Sequence, residues 1–283
     1  MPTGARGVGY PVSRSMSRQD DFSSLRVLRE GPVTRVILAR PAVRNAFDEV
    51  LIRELSAAFL SLAEDRETRV AVLSGEGPSF CAGADIAWMR RAGGYSREEN
   101  EADAERMARM LRAIDTCGKP VVVLAHGAAI GGGVGLVAAA DIAIAAEGTV
   151  FSLAEVRLGI LPSVISPYVL RAVGPRQARD LFLTGDRFAA GEAHRIGLVH
   201  TVVPPAELEA AGARKVESLL AAGPEAVQAA KRLIEEVTGM SPEEALPLTV
   251  RTIAERRASA EAKEGLSAFL EKRPPAWVKK SKV

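Results

Sequence analysis

The sequence predicts an α/β fold that ends in a purely helical region. Three observations carry this expectation. Short β-branched runs at 33–38 and 70–73 alternate with segments of helical periodicity. Glycine-rich turns stand where strands give way to helices. After about Pro205 the strand signals stop and four helix-compatible stretches follow.

In chain order, residues 1–22 are rich in Gly, Arg and Ser, show little periodicity and lack the apolar h-region of a signal peptide. They are expected to form a disordered tail, with Met16 as an alternative initiator. Val33–Leu38 suits a strand. Phe47, Leu51, Leu55, Ala58 and Leu62 fall on one face of a helix over 47–63, and 70–73 is the next strand. Ser96 opens a helix that runs to about Thr116, with Glu99 as its capping-box partner three residues on. Residues 120–124 read as a buried strand, followed by shorter ones at 140–145 and 150–152. The stretches 206–221, 225–237, 242–257 and 258–271 are helix-compatible. The chain thus divides into a tail (1–22), an α/β core (23–205) and a helical region (206–283) suited to assembly. Its basic end, 272–283, reads as a solvated tail.

A chain of 283 residues with 47% hydrophobic side chains can bury a sizeable core. Its 37 basic and 35 acidic side chains nearly cancel. Nucleic acid, which needs a concentrated basic surface, is therefore not an expected partner. No stretch reaches the roughly 18 apolar residues of a membrane span. The apolar region 121–145 is broken by His126, a glycine run and Asp141. Cys81 and Cys117 make no disulfide framework and fit a reducing cytoplasm as small buried side chains. His126, His194 and His200 lack metal-ligand spacing, so no metal is expected.

Three segments carry candidate chemistry. In Gly75-Glu76-Gly77-Pro78-Ser79-Phe80-Cys81-Ala82-Gly83-Ala84-Asp85-Ile86, small residues crowd after a strand. They would let a ligand approach a backbone N–H, or would simply make a tight turn. In His126-Gly127-Ala128-Ala129-Ile130-Gly131-Gly132-Gly133-Val134-Gly135-Leu136, a glycine run flows into a helix whose first amides are unpaired and favour negative charge. The run fits neither a dinucleotide fingerprint nor a phosphate loop, so it suits an oxyanion better than a pyrophosphate; close helix packing is the other reading. In Phe151-Ser152-Leu153-Ala154-Glu155-Val156-Arg157-Leu158-Gly159-Ile160-Leu161-Pro162, Glu155 sits among apolar neighbours expected to be buried. Such a carboxylate is either a general acid/base with a raised pKa or the partner of a cation such as Arg157.

Together, and with Arg40-Pro41 and Asn45-Ala46 upstream, these segments resemble the crotonase (enoyl-CoA hydratase/isomerase) superfamily from about Ser23 to the C-terminal helices. The resemblance implies a spiral of ββα turns with a helical trimerisation region, assembled as a homotrimer or a dimer of trimers. It implies an acyl-CoA thioester as substrate and no cofactor beyond the CoA that the substrate carries. By position it makes the N–H groups of Ala84 and Gly132 the oxyanion donors and Glu155 the catalytic acid. Ala42, Val43, Arg44, Ala82, Asp85, Ile86, Gly131, Gly135 and Pro162 would line the substrate site. Typical hydratases carry a first glutamate where this chain has Gly135, leaving Glu155 as the one matched acid.

The extensions Trp88-Met89-Arg90-Arg91 and Val164-Ile165-Ser166-Pro167-Tyr168-Val169 look like bacterial methylglutaconyl-CoA hydratases. They imply hydration of a branched enoyl-CoA with a distal carboxylate, for which Arg90 and Arg91 are candidate partners. A Δ3,Δ2-enoyl-CoA isomerase and a catalytically silent acyl-CoA-binding scaffold are the alternative readings.

Overall fold

The computed structural model describes residues 22–278. The tail expected over 1–22 lies outside the described residues except for Phe22, whose side chain packs against the core.

The main sheet has six strands: β1 (Leu25–Glu30), β2 (Val33–Leu38), β3 (Val70–Gly75), β4 (Val121–Ala125), β6 (Ile142–Ala146) and β9 (Thr201–Val203), in the order β1-β2-β3-β4-β6-β9. β1 and β2 form an antiparallel hairpin, and every later pair is parallel. Parallel neighbours require crossovers. α1 (Glu49–Glu64) links β2 to β3, while α2 (Ile86–Ala92) and α3 (Arg97–Asp115) link β3 to β4. A second sheet joins β5 (Ala128–Ile130), β7 (Val150–Ser152) and β8 (Arg187–Ala189) in the order β5-β7-β8. Between them run α4 (Gly132–Ala139), the kinked α5 (Ser166–Thr184) and α6 (Ala190–Arg195).

Both faces of the main sheet are buried, which explains its continuous Val/Ile/Ala runs. On one face Val36, Leu38, Leu73, Val121 and Val123 pack with the apolar stripes of α1, α3 and α4. On the other, Val70, Val72, Val122, Leu124 and Ile144 pack with Leu208, Ala211 and Val216 of α7 (Leu208–Ala221). The predicted α1 face is buried in full. Its Phe47, however, precedes the helix, which starts after Asp48 accepts from Leu51 N. The Ser96–Glu99 capping box is present in both directions. Cys81 and Cys117 are buried, and burial pushes the Cys81 thiol up to about 12.

The helical C-terminal region is not uniform. α7 belongs to the core of the sheet, so the helices that stand apart are α8 (Pro224–Val237), α9 (Pro242–Ala258) and α10 (Ala260–Leu270). The described end of the chain is largely exposed, yet it is held in place by side-chain contacts. Arg273 pairs with Glu264 and Glu271, and Trp277 Nε1 donates to Ala221 O at 3.1 Å.

Candidate active site

The site is assembled from strips of chain that run side by side. Phe47 bridges Ala84 in parallel: Phe47 N donates to Gly83 O at 2.7 Å and Asp85 N donates to Phe47 O at 2.8 Å. In that pattern the Ala84 N–H points away from Phe47, and it has no acceptor among the described residues. Cys81 in turn bridges Ala129, with Cys81 N donating to Ala128 O and Ile130 N to Cys81 O, each at 3.0 Å. β5 then pairs with β7, which leads into the 3₁₀ turn Ala154–Leu158 that carries Glu155. The three sequence segments are therefore spatial neighbours.

Gly131 makes the turn from β5 into α4. Its φ of 52° and ψ of −115° lie outside the range of ordinary L-residues, and its N–H donates to Ser152 O at 2.8 Å. Gly132 is the first residue of α4, so its N–H is one of the helix's unpaired donors; it too has no acceptor among the described residues.

Ala84, Gly132 and Glu155 line one cavity of about 280 Å³ with Phe47, Trp88 and Met107. Ile160, Leu161, Ser163 and Val164 close one side, and Asn100, Asp103 and Ala104 of α3 another. Glu155 is half-buried and its Oε2 is enclosed without a hydrogen-bond partner among the described residues. Burial pushes its pKa above the ordinary carboxylate range. A cation could have reversed that shift, but Arg157 turns elsewhere, pairing with Asp186 and donating to Thr184 O. The segment after Glu155 is more open than expected, with Leu158, Ile160 and Leu161 more than half exposed.

Arg40 braces the loop that presents Ala84. Its guanidinium pairs with Asp48 at 2.8 Å and Asp85 at 3.2 Å and donates to Ala46 O. Asp85, expected on the substrate wall, spends its carboxylate here: it also caps α2 by accepting from Ala87 N and Trp88 N. Asn45 holds the same loop by donating to Glu76 O and Ser79 O.

The other expected lining residues divide. Ala42, Val43 and Arg44 form an exposed turn that abuts Ala82, whose N–H donates to Arg44 O at 3.0 Å. Ile86 is exposed beside it, and Gly131 lies against Glu155. Pro162 is buried between Leu161 and Ser163 without reaching the cavity. Gly135 does not reach it either: it faces Ile165, the residue that caps α5, which fills the space a side chain would need. Arg90 and Arg91 are also away from the cavity, because both fall in the exposed last turn of α2. Arg91 instead grips Glu49 through both carboxylate oxygens, at 2.8 and 2.9 Å. Neither of the arginines expected to meet a distal carboxylate is among the residues that line the cavity.

Sequence reasoning passed over the contribution of α3. Asp103 shares a helix face with Met107, Met110 and Ile114. An acid on a buried apolar stripe was the available signal.

Comparison with known proteins agrees with this architecture. Residues 29–280 match the family model described as enoyl-CoA hydratase/isomerase. A crotonyl-CoA hydratase of Syntrophomonas wolfei is 32% identical over 261 residues, covering 92% of this chain and 99% of that protein. The crystal structure of an enoyl-CoA hydratase from Shewanella pealeana superposes with a TM-score of 0.88 at 38% identity, covering 91% of this chain and 97% of the other. Pseudomonas aeruginosa AtuE gives a TM-score of 0.88 at 36% identity, covering 91% and 100%. The mixed α/β fold with its C-terminal helices is the crotonase fold, and the chain belongs to the enoyl-CoA hydratase/isomerase family.

Proposed function

We propose that this chain hydrates an α,β-unsaturated enoyl-CoA. One observation carries the reading: two backbone amides without acceptors among the described residues, at Ala84 and Gly132, line the same cavity as a carboxylate whose pKa burial raises. The thioester oxygen binds between the two N–H groups, which stabilise it as it becomes enolate-like. Glu155 in its neutral form delivers a proton to the α-carbon. CoA lies along the exposed turn at Ala42, Val43 and Arg44 beside Ala82 and Ile86. The enzyme works in the cytoplasm as a trimer or a dimer of trimers.

For the acyl group we propose a branched, methylglutaconyl-like chain, which the apolar wall of Trp88, Ile160, Leu161 and Val164 supports. No arginine or lysine lines the cavity among the described residues, so a distal carboxylate would meet neutral donors such as Trp88 Nε1, which is buried without an acceptor. The Δ3,Δ2-isomerase reading has one observation in its favour, the absence of a carboxylate at Gly135. A panel of crotonyl-, branched and carboxylated enoyl-CoAs separates these readings. Hydration removes the conjugated double bond, whereas isomerisation only moves one. Double-bond migration without hydration would replace the hydratase reading.

A further inference from the structure

Asn100, Asp103, Ala104 and Met107 line the cavity from α3, spaced as i, i+3, i+4 and i+7 on one helix face. Further along, the same face carries Met110, Leu111 and Ile114, all fully buried. Asp103 is itself 9% exposed. An ionised carboxylate on such a face carries a desolvation cost unless it is paired. Half of it is: Arg106 Nη2 donates to Oδ1 at 2.8 Å. Oδ2 accepts nothing among the described residues and is not enclosed, so it keeps some exposed surface. An ion pair at the helix surface would account for Oδ1 but not for a buried acid on the cavity wall.

The position of Asp103 relative to the amides follows from the helix. The Met107 methyl lies 2.6 Å from where a Cβ on Gly132 would sit, so this side chain touches the start of α4. Asp103 is one turn back on the same face, about 6 Å away. Glu155 approaches from a different element, with Oε1 2.9 Å from where a Cβ on Gly131 would sit. Two carboxylates thus line the cavity from separate walls, Glu155 against the glycine run and Asp103 from α3, and neither stands at position 135.

We infer that Asp103 is a second catalytic carboxylate of this cavity, the group that takes the proton from the water as it adds to the substrate. The inference rests on the hydratase reading. The water oxygen bonds to C3 while the C2–C3 π pair moves onto the thioester as an enolate held by the Ala84 and Gly132 amides. Asp103 Oδ2 accepts the proton that the water loses. The enolate collapses and C2 takes a proton from Glu155. The proton on Asp103 returns to Glu155 through solvent, so one water is added and nothing is oxidised or reduced.

The test compares two reactions of the purified enzyme. Hydration of an enoyl-CoA needs both carboxylates. Exchange of a C2 hydrogen of a saturated acyl-CoA with solvent deuterium needs the amides and Glu155 only. Asp103→Asn keeps an oxygen for Arg106 but cannot take a proton. It is expected to lower the hydration-to-exchange ratio by about 10²-fold, whereas Glu155→Gln lowers both reactions. Asp103→Glu, which restores a carboxylate at greater reach, is expected to recover part of the lost hydration and keeps the test open if the Asn variant folds poorly. An unchanged ratio in Asp103→Asn, or equal loss of hydration in the Asn and Glu variants, overturns the inference. A wild-type enzyme that hydrates no enoyl-CoA overturns the hydratase reading itself, and the inference with it.

Discussion

Ile165 occupies the space that a side chain on Gly135 would need: its Cγ2 lies 2.3 Å from the position of a Cβ on that glycine. The pair locks α4 against α5, and it explains why position 135 supplies nothing to the cavity. Even Gly135→Ala overpacks the contact and is expected to cost about 1–3 kcal/mol. Gly135→Glu should be worse and should not create a water clamp for crotonyl-CoA. Ile165→Ala opens the contact, so the double variant Gly135→Ala/Ile165→Ala should be more stable than the sum of the single losses. Urea melts of the four proteins give the coupling directly. Additive losses would mean that the two residues do not share the space.

Much of the main sheet and its helices was legible because periodicity reports burial. The α1 stripe, the Ser96 capping box and the Val70 and Val121 runs are local patterns with local causes. The joint occurrence of the three small-residue segments also pointed to one site. The rest depended on tertiary contacts. β5, β8 and β9 are three residues each, too short to show alternation. Gly135 reads as part of a ligand-binding glycine run until Ile165, 30 positions on, is seen to fill its place. Arg91 reads as available until Glu49 is found across from it. Asp103 is hard to pick out because α3 carries many acids, and only its place on the stripe of Met107, Met110 and Ile114 distinguishes it.

Glu155→Gln gives a pH test of the buried carboxylate. Burial raises the pKa of Glu155 in the folded protein, so the folded state holds its proton more tightly than the unfolded chain does. Its contribution to stability is complete below the ordinary glutamate range and is lost as pH rises through the folded value. Glutamine stays neutral and removes this dependence. The Tm of Glu155→Gln minus that of wild type should therefore become more positive from acid to mildly alkaline pH. Turnover should fall by about 10²–10⁴-fold at the pH optimum. A Tm difference that is flat with pH would show that burial does not raise the pKa of Glu155.

Gly132→Pro removes an oxyanion donor at a position where proline is otherwise compatible with a helix start. Its ring atoms would meet the Met107 methyl, the far end of a flexible side chain, and the Phe47 ring, 2.9 Å from the Cβ position. Transition-state stabilisation should drop by about 3 kcal/mol, read as kcat/KM for the enoyl-CoA that wild type hydrates. Binding of free CoA should fall much less. Equal losses in both would mean that the substitution had distorted the pocket rather than removed one donor.

The last prediction concerns the C-terminal helices. Phe269 and Leu270 are 80% and 78% exposed, and Ile234, Leu246, Val250 and Leu266 are each more than half exposed. α8 and α9 bury no residue fully, and α10 buries only Ala268. Apolar exposure on this scale, gathered on consecutive helices, marks a surface that associates. The expected associate is a further copy of the chain. Phe269→Asp with Leu270→Asp places two charges in that surface while touching no core contact, so each subunit should stay folded and its circular dichroism should match wild type. The mass by light scattering should drop from an oligomer toward a single chain of 30.0 kDa. Wild type that already runs at that mass, or a variant that keeps the oligomer, would place subunit contacts elsewhere and leave this surface for another partner.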